Sequence, residues 1–399
     1  MKKSLREAHS EPPSRRSRWI SHDLIFVLHN KPFTSCRPGG EAICLICVIC
    51  GLKNYWRIIM KNGKFGCAVW GCGWVASGHI NAYLKHPACE VVTLGSRRLE
   101  SVQAKQAEFG LNCRATTDFN DILNDDRIDI VSICTPNCQH AEEAILAMKA
   151  GKHVFLEKPI AICEEDIPRL IETAESSHVH TLVAFILRFN PLVQLQRRLV
   201  AEGELGKVFM ANTDYWFGRE RKGWMKHAEQ TGGAFILAGC HSVDMVRHII
   251  GADITRVSAQ AAMVGNYYEY PPVETAQVQF SNGAIGVFSC SLVGTTPYMA
   301  NTSILGEKGT IVNDRFYLKR FDGQKDFFTL DTGVKKSGDV YDHPFPAMVS
   351  HFVECIQEDK ESPNNIRSAV NAHLTCIAIR KSAELGRPVR IDGLKLIVE

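Results

Sequence analysis

The sequence predicts two α/β domains, the first on a doubly wound parallel sheet and the second rich in short strands. Three observations predict this. An apolar run, Phe65–Trp70, leads straight into Gly71-x-Gly73-x-x-Ala76. Strand and helix patterns then alternate as far as residue 186, as a parallel sheet with crossover helices requires. Between residues 207 and 313 apolar residues alternate with polar ones in short runs separated by turn residues. The length of 399 residues also exceeds one ordinary core.

Composition narrows the function classes. Hydrophobic residues make up 45% and charged residues 22%, as in soluble globular proteins. A formal net charge of +3 gives no reason to expect the clustered basic face that nucleic acid needs, so no nucleic-acid partner is expected. No apolar run is long enough to span a bilayer, so no membrane partner is expected either. The chain has 15 cysteines. Cys67, Cys72, Cys134, Cys240 and Cys290 sit in apolar runs or beside small residues, where a thiol acts as a small hydrophobe. A reduced, cytoplasmic protein is expected.

The first 59 residues stand apart. Residues 1–20 mix Lys, Arg, Ser, Pro and Glu without a period. The apolar island at 42–52, AICLICVICGL, is too short for a membrane span and too deep for a signal peptide. Cys44, Cys47 and Cys50 have the spacing of an iron–sulfur ligand run. Only Leu, Ile and Val lie between them and no companion cluster follows, so no metal site is expected. Met60 opens MKNGKFGCAVWG, the usual start of a chain whose first element is a nucleotide-binding strand. Translation is therefore expected to start at Met60, with 1–59 a disordered extension or foreign to the native protein. Domains of 60–187 and 188–399 follow.

Each element of the first domain has its reason. Phe65–Trp70 reads as a buried strand, and a helix runs through His79–His86. In the turn between them Gly71 allows the tight bend, and Gly73 lets a pyrophosphate approach the backbone. Ala76 permits close helix–strand packing, and the helix N-terminus offers N–H donors. Trp74 and Val75 complete this Rossmann-type turn. Glu90–Leu94 is the second strand. At its end an acidic residue would accept from the ribose hydroxyls of NAD. Here Ser96 and then Arg97 stand there, a hydroxyl and a guanidinium suited to a 2′-phosphate. NADP is therefore favoured over NAD. Ser101–Phe109 is helical. The strand Ile128–Cys134 ends in a loop with Thr135, Pro136, Asn137 and His140, placed to meet the nicotinamide half. Ala141–Ala150 is a helix, Val154–Leu156 a strand ending in Glu157-Lys158-Pro159, Glu164–Ser176 a helix and Thr181–Ile186 the last strand.

In the second domain Pro191–Glu202 is a helix. Strands are expected at 207–217, 254–264, 273–280, 284–292, 302–305 and 310–313, with a hairpin turn at Ser281-Asn282-Gly283. Helices are expected at 346–357 and 368–385, the second stopping at Gly386.

In this order the motifs resemble the Gfo/Idh/MocA family of oxidoreductases, which includes glucose–fructose oxidoreductase and inositol dehydrogenase. The resemblance runs from about residue 64 to 391. Residues 69–79, VWGCGWVASGH, are like the family's first turn, and TPNCQH at 135–140 is like its T-P-x-x-x-H loop. Glu157-Lys158-Pro159 is its most distinctive signature. Arg188-Phe189-Asn190-Pro191 is similar to its R-F-x-P crossover. Residues 232–241, GGAFILAGCH, with Asp244, are similar to its G-G-x(5–6)-G-x-H-x-x-D segment. ILGEKGT at 304–310 is like a late strand pair. The resemblance implies a Rossmann domain, then an α/β domain with a large, open, mostly antiparallel sheet. It also implies a homodimer or homotetramer formed through that sheet.

Oxidising a secondary alcohol requires a hydride acceptor and a base within reach of the hydroxyl. Lys158, at a strand's carboxyl end, is the candidate acid/base, since a cationic ring nearby and partial burial both favour the free amine. It also resembles the family's catalytic lysine. The resemblance makes His241 the assisting group, although the Asp usual four residues earlier is Leu237 here. Asp244, one helical turn on, is the remaining carboxylate to orient it. Trp216, Arg219 and Trp224 suit a sugar or polyol by stacking and hydrogen bonding. Arg188 and Asn190 resemble family positions near nicotinamide and substrate. The expected activity is an NAD(P)-dependent dehydrogenase for a sugar, cyclitol or related polyol. The alternatives are a redox-cycling glycosidase of the same fold and a non-catalytic sugar or dinucleotide sensor.

Overall fold

Six short strands open the chain's described part, most of their residues buried and each followed by a helix or turn. They are β1 (Phe65–Trp70), β2 (Cys89–Gly95), β3 (Arg114–Thr116), β4 (Ile130–Ile133), β5 (His153–Leu156) and β6 (Thr181–Val183). All pairs are parallel, in the order β3-β2-β1-β4-β5-β6. The structure is a computed structural model and describes residues 63–218, 223–332 and 338–399. The expected Met60 start, the extension 1–59 and Arg219 lie outside the described residues.

All six residues of β1 are buried, which accounts for its unbroken apolar run. The order reverses between β1 and β4, so a crevice opens at their carboxyl ends, the usual ligand position in such sheets. Helices Ala76–Lys85 and Leu99–Phe109 lie on one side of the chain's path, and His140–Lys149 and Asp166–Ser176 follow β4 and β5. Two expectations shift. Strand β6 stops at Val183 and a tight turn covers Ile186–Phe189. Strand β3, three residues with an exposed Arg114, had no alternation long enough to be read.

The second sheet has ten strands and is antiparallel at every pairing except β7 with β10. Its central members are β7 (Val208–Trp216), β8 (Ile254–Ala262), β9 (Val273–Phe280), β10 (Ile285–Ser291), β11 (Met299–Gly306) and β12 (Gly309–Val312). Further strands at 315–318, 328–329, 389–392 and 395–398 extend the two edges. The sequence reading had not placed these. The turn at 281–283 joins β9 to β10, with Gly283 at φ +85°. Helices Cys240–Ile250 and Ile366–Leu385 cover the inner face, and the latter ends at Gly386 in the left-handed conformation. The inner-face residues Val257, Phe288 and Ile304 join helix residues such as Val246 and Ile379 in one core.

Helix Phe345–Gln357 belongs to the later part of the chain but not to the second sheet's core. Its Phe345, Met348 and Phe352 pack with Ile80, Tyr83 and Phe155 of the first domain. Gly78 permits this contact, since a Cβ there would stand 2.5 Å from the Phe345 ring. Every cysteine among the described residues is unpaired. No helix among them is long and apolar enough to cross a membrane.

Candidate functional site

A cleft of about 600 Å³ lies at the carboxyl ends of β1, β4 and β5 and extends to the inner face of the second sheet. Its first wall is the glycine turn. Gly71 has φ +99°, and a Cβ there would fall 2.5 Å from the carbonyl of Cys134, so only glycine fits between β1 and β4. At Gly73 a Cβ would meet nothing within 4 Å, so its backbone faces open cleft. The helix Ala76–Lys85 begins directly after. A bare backbone at a helix N-terminus is the cradle a dinucleotide pyrophosphate needs, so these residues fit that group. Ser96, Arg97 and Arg98 line the cleft beyond it, with both arginines exposed.

The loop after β4 is held from behind. Thr135 Oγ1 donates to Glu143 at 2.5 Å, and Trp70 Nε1 donates to the other oxygen at 2.7 Å. Burial pushes the Glu143 carboxyl up, and these two bonds pull the other way. Asn137 Nδ2 donates to the Thr231 carbonyl at 3.0 Å and so ties this loop to the second domain.

The loop after β5 carries Glu157, Lys158 and a cis peptide bond before Pro159. Lys158 lines the cleft and its Nζ donates to the Leu237 carbonyl at 3.0 Å. Glu157 is buried against His79 Nε2 at 3.0 Å, while His79 Nδ1 meets Ser132 Oγ at 2.9 Å. Burial alone would raise the Glu157 carboxyl. The His79 hydrogen bond and the charges of His79 and Lys158 overcome it and leave the carboxyl below its ordinary range. His140 spans the Pro159 carbonyl (2.6 Å) and the Thr135 carbonyl (2.9 Å), with its pKa lowered by burial. His373 donates from Nδ1 to the Ala369 carbonyl and accepts at Nε2 from the Ile160 backbone N–H at 3.1 Å. The lysine therefore projects from a backbone held on both sides.

His241 lies in the first turn of Cys240–Ile250, just after a π-helical turn over Phe235–Gly239. Such turns recur at functional sites because the extra residue re-aims the side chains beyond it. The ring lines the cleft and stacks on Tyr215, with centroids 5.9 Å apart and 26° between planes. Its Nδ1 is buried and has no hydrogen-bond partner. Burial first, then Lys158, His343 and His373, hold its pKa well below 6.5. The ring is neutral at physiological pH.

Most sequence-predicted residues meet in this cleft. Gly71, Gly73, Trp74, Val75, Ser96, Arg97, Thr135, Pro136, Asn137, His140, Glu157, Lys158, Trp224 and His241 all line it. Ala76 lies beneath, fully buried in the core. Four expectations are corrected. Arg188 is not at the cleft: its guanidinium is buried and grips Asp244 (Nε–Oδ2 2.7 Å, Nη2–Oδ1 2.5 Å) and the Pro363 carbonyl. Asp244 is thereby engaged and does not orient His241. Asn190 is a helix cap, with Oδ1 accepting from the Leu192 backbone N–H at 2.9 Å. Trp216 points to the outer face of β7, where Nε1 donates to Ser289 Oγ at 2.7 Å. Strand alternation puts its neighbour Tyr215 in the cleft instead.

Tyr215, Tyr298, His343 and Phe345 line the cleft without having been singled out in the sequence. Of these, Tyr215 alone carried a signal, the parity of a strand leading to the site. His79, also missed, lay inside the quoted glycine-turn motif. Outside the cleft, His227 Nδ1 meets Glu269 at 2.9 Å beside Glu229, an exposed polar cluster.

Residues 65–185 match the model described as oxidoreductase family, NAD-binding Rossmann fold, and residues 193–312 match the GFO/IDH/MocA C-terminal domain. The chain is 26% identical over 342 residues to scyllo-inositol 2-dehydrogenase (NAD(+)) of Bacillus subtilis, covering 82% of this chain and 96% of that one. It is 28% identical over 205 residues to myo-inositol 2-dehydrogenase of Thermotoga maritima, covering 50% and 61%. A levoglucosan dehydrogenase solved with NADH and L-sorbose shares the fold, with a TM-score of 0.74 at 22% identity over 82% of this chain and 99% of that one.

Proposed function

Starting from the chain's membership of the Gfo/Idh/MocA family, oxidoreductases acting on CH–OH groups, we propose that it oxidises a ring hydroxyl of a sugar, cyclitol or related polyol, with Lys158 as proton acceptor. The observation that carries this reading is Lys158 Nζ, held at the Leu237 carbonyl, in the same cleft as the glycine turn. Gly71, Gly73 and the start of Ala76–Lys85 hold the pyrophosphate of a nicotinamide dinucleotide. When bound, that cofactor supplies the hydride acceptor. NADP is preferred to NAD, with Ser96 and Arg97 meeting the 2′-phosphate.

Lys158 takes the hydroxyl proton at Nζ during oxidation, and returns it in the reverse direction. Neutral His241 carries its proton on Nε2. The buried, partnerless Nδ1 makes that tautomer cheaper than one with a stranded N–H. It therefore donates a hydrogen bond to the substrate oxygen and does not compete for the proton. Glu157 holds charge behind the lysine through His79. The division at residues 187 and 188 separates the cofactor and substrate domains. The outer face of the second sheet, where Ile285 and Val287 are 51% and 52% exposed, forms a homodimer or homotetramer contact. The unpaired thiols support a reducing, cytoplasmic setting.

The test is an absorbance assay of the Met60-start protein with NAD or NADP and a panel of inositols, sugars and aryl glycosides. Reduced cofactor accumulating with a ring alcohol supports the dehydrogenase. Aryl alcohol release without net reduction would replace it with the redox-cycling glycosidase. Binding of a sugar without either signal would leave a sensor.

A further inference from the structure

A short segment from late in the chain forms part of the cleft wall. Gly338, His343 and Phe345 line the cleft together with the glycine turn. Residues 338–345 lead from the second sheet into the helix Phe345–Gln357. Val340 and Phe345 are buried and anchor the segment on Gly78, where a Cβ would stand 2.9 Å from Val340 and 2.5 Å from the Phe345 ring. Between these anchors lies a single turn, Val340–Asp342, capped by Asp339, whose Oδ1 accepts from the Tyr341 backbone N–H at 3.0 Å. Just after it His343 meets Trp74, the residue following Gly73, edge-on at 6.5 Å and 86°. A piece of the nucleotide site thus comes from outside the Rossmann domain.

One side chain of this turn reaches back to the first domain. Tyr341 is 55% exposed, yet its hydroxyl donates to Glu108 Oε1 at 2.8 Å, 233 positions away. Glu108, near the end of Leu99–Phe109, also accepts from Ser77 Oγ at 2.9 Å and from Lys105 Nζ at 2.6 Å. Lys105 Nζ donates to Ser77 Oγ as well, at 2.5 Å. Ser77 is the second residue of the helix whose N-terminus fits the pyrophosphate. Burial would raise the Glu108 carboxyl, and the bonds from Lys105, Tyr341 and Ser77 outweigh it, so the group stays a charged acceptor. An exposed ring gains little from packing, so the bond to Glu108 is what Tyr341 contributes. We propose that Tyr341 and Glu108 form a latch that holds the 338–345 segment against bound dinucleotide, and that both are positioning residues for cofactor retention. With the latch made, the turn keeps His343 beside Trp74. With it broken, the turn is held by its two ends alone and the nucleotide leaves faster. The inference rests on the dinucleotide reading of the cleft.

The experiment loads the full-length protein with NADH or NADPH and mixes it with excess oxidised nucleotide. Release is followed by stopped flow, as loss of energy transfer from tryptophan to the reduced nicotinamide. Tyr341→Phe deletes one exposed hydroxyl. It should speed release about fivefold and leave the urea midpoint of the nucleotide-free protein at the wild-type value. In a Glu108→Ala background, whatever its own rate, Tyr341→Phe should change release no further, because the shared bond is already gone. A merely structural bond would lower the urea midpoint and leave release unchanged, and that result overturns the inference. Additive effects of the two replacements overturn it too. Failure of the wild type to bind either nucleotide removes the dinucleotide reading and the inference with it. Should Glu108→Ala not fold, Tyr341→Phe alone decides the point, by release rate against midpoint.

Discussion

Arg188 and Asp244, 56 positions apart, are joined by two parallel hydrogen bonds inside the second core, with Asp244 1% exposed. A third bond from Arg188 reaches the Pro363 carbonyl at 2.8 Å. The pair binds the crossover after β6 to the helix that carries His241. Removing one partner strands the other charge. Asp244→Ala should cost about 3–5 kcal/mol of stability, measured by urea unfolding. The double replacement Arg188→Met with Asp244→Leu should recover most of that loss. A single variant as stable as wild type would show that the pair does not hold this junction.

Lys158→Ala should lower kcat by about 10²–10⁴ while cofactor affinity changes less than threefold, read by fluorescence titration. Lys158→Arg should be equally impaired, because a guanidinium keeps the charge and cannot accept the proton. Turnover near wild type in either variant would remove the lysine from the proton path.

Arg97→Ala should weaken NADPH binding about tenfold and leave NADH within twofold. A charge-assisted bond is worth more when buried, and Arg97 is exposed, so the loss stays near tenfold. Ser96→Asp should reverse the preference by repelling the 2′-phosphate and accepting from the ribose hydroxyls. An unchanged ratio of affinities in both variants would place cofactor choice elsewhere.

Glu274 is buried, accepts from the Phe235 backbone N–H at 2.8 Å and so braces the π-turn that precedes His241. Burial pushes its carboxyl up from 4.5 to about 7, against the Phe235 bond and Arg380. The folded state therefore binds this proton more tightly than the unfolded chain does. The stabilisation is complete below pH 4.5 and is lost as pH rises through 7, up to roughly 3 kcal/mol. Glu274→Gln keeps the acceptor and loses the titration. Its unfolding midpoint should exceed wild type at pH 8.5 and converge with it near pH 5. Parallel pH profiles would show that Glu274 does not titrate on unfolding.

The first sheet and the glycine turn were legible because their causes are local. A buried parallel strand needs an unbroken apolar run, and Gly71 is required by a contact with Cys134, at the end of a strand that was itself recognisable. The place of Lys158 in the cleft was legible for the same reason, since it follows the carboxyl end of a short buried strand, β5. The errors lie where register or long-range pairing decides. Trp216 and Tyr215 are adjacent, and only the pairing of β7 with its neighbours tells which one faces inward. Arg188 carried a family motif, yet its partner is set by a helix far along the chain. His373 supports the Lys158 loop from 213 residues away, a relation no local pattern encodes. The unread edge strands are two to four residues each, too short for an alternation to register.

The helix Phe345–Gln357 gives the chain a clasp. The polypeptide leaves the first domain at the Arg188 crossover, builds the second sheet, and then lays this helix back over Ile80, Tyr83 and Phe155 before completing the second domain. A proteolytic cut near residue 190 would therefore not release a free-standing nucleotide module. It would leave an apolar groove whose lid belongs to the other fragment. Two fragments made separately should each be sticky and short-lived, and should recover solubility on mixing. The same stitch sews the two domains together by three chain crossings, one at Arg188 and one at each end of the helix.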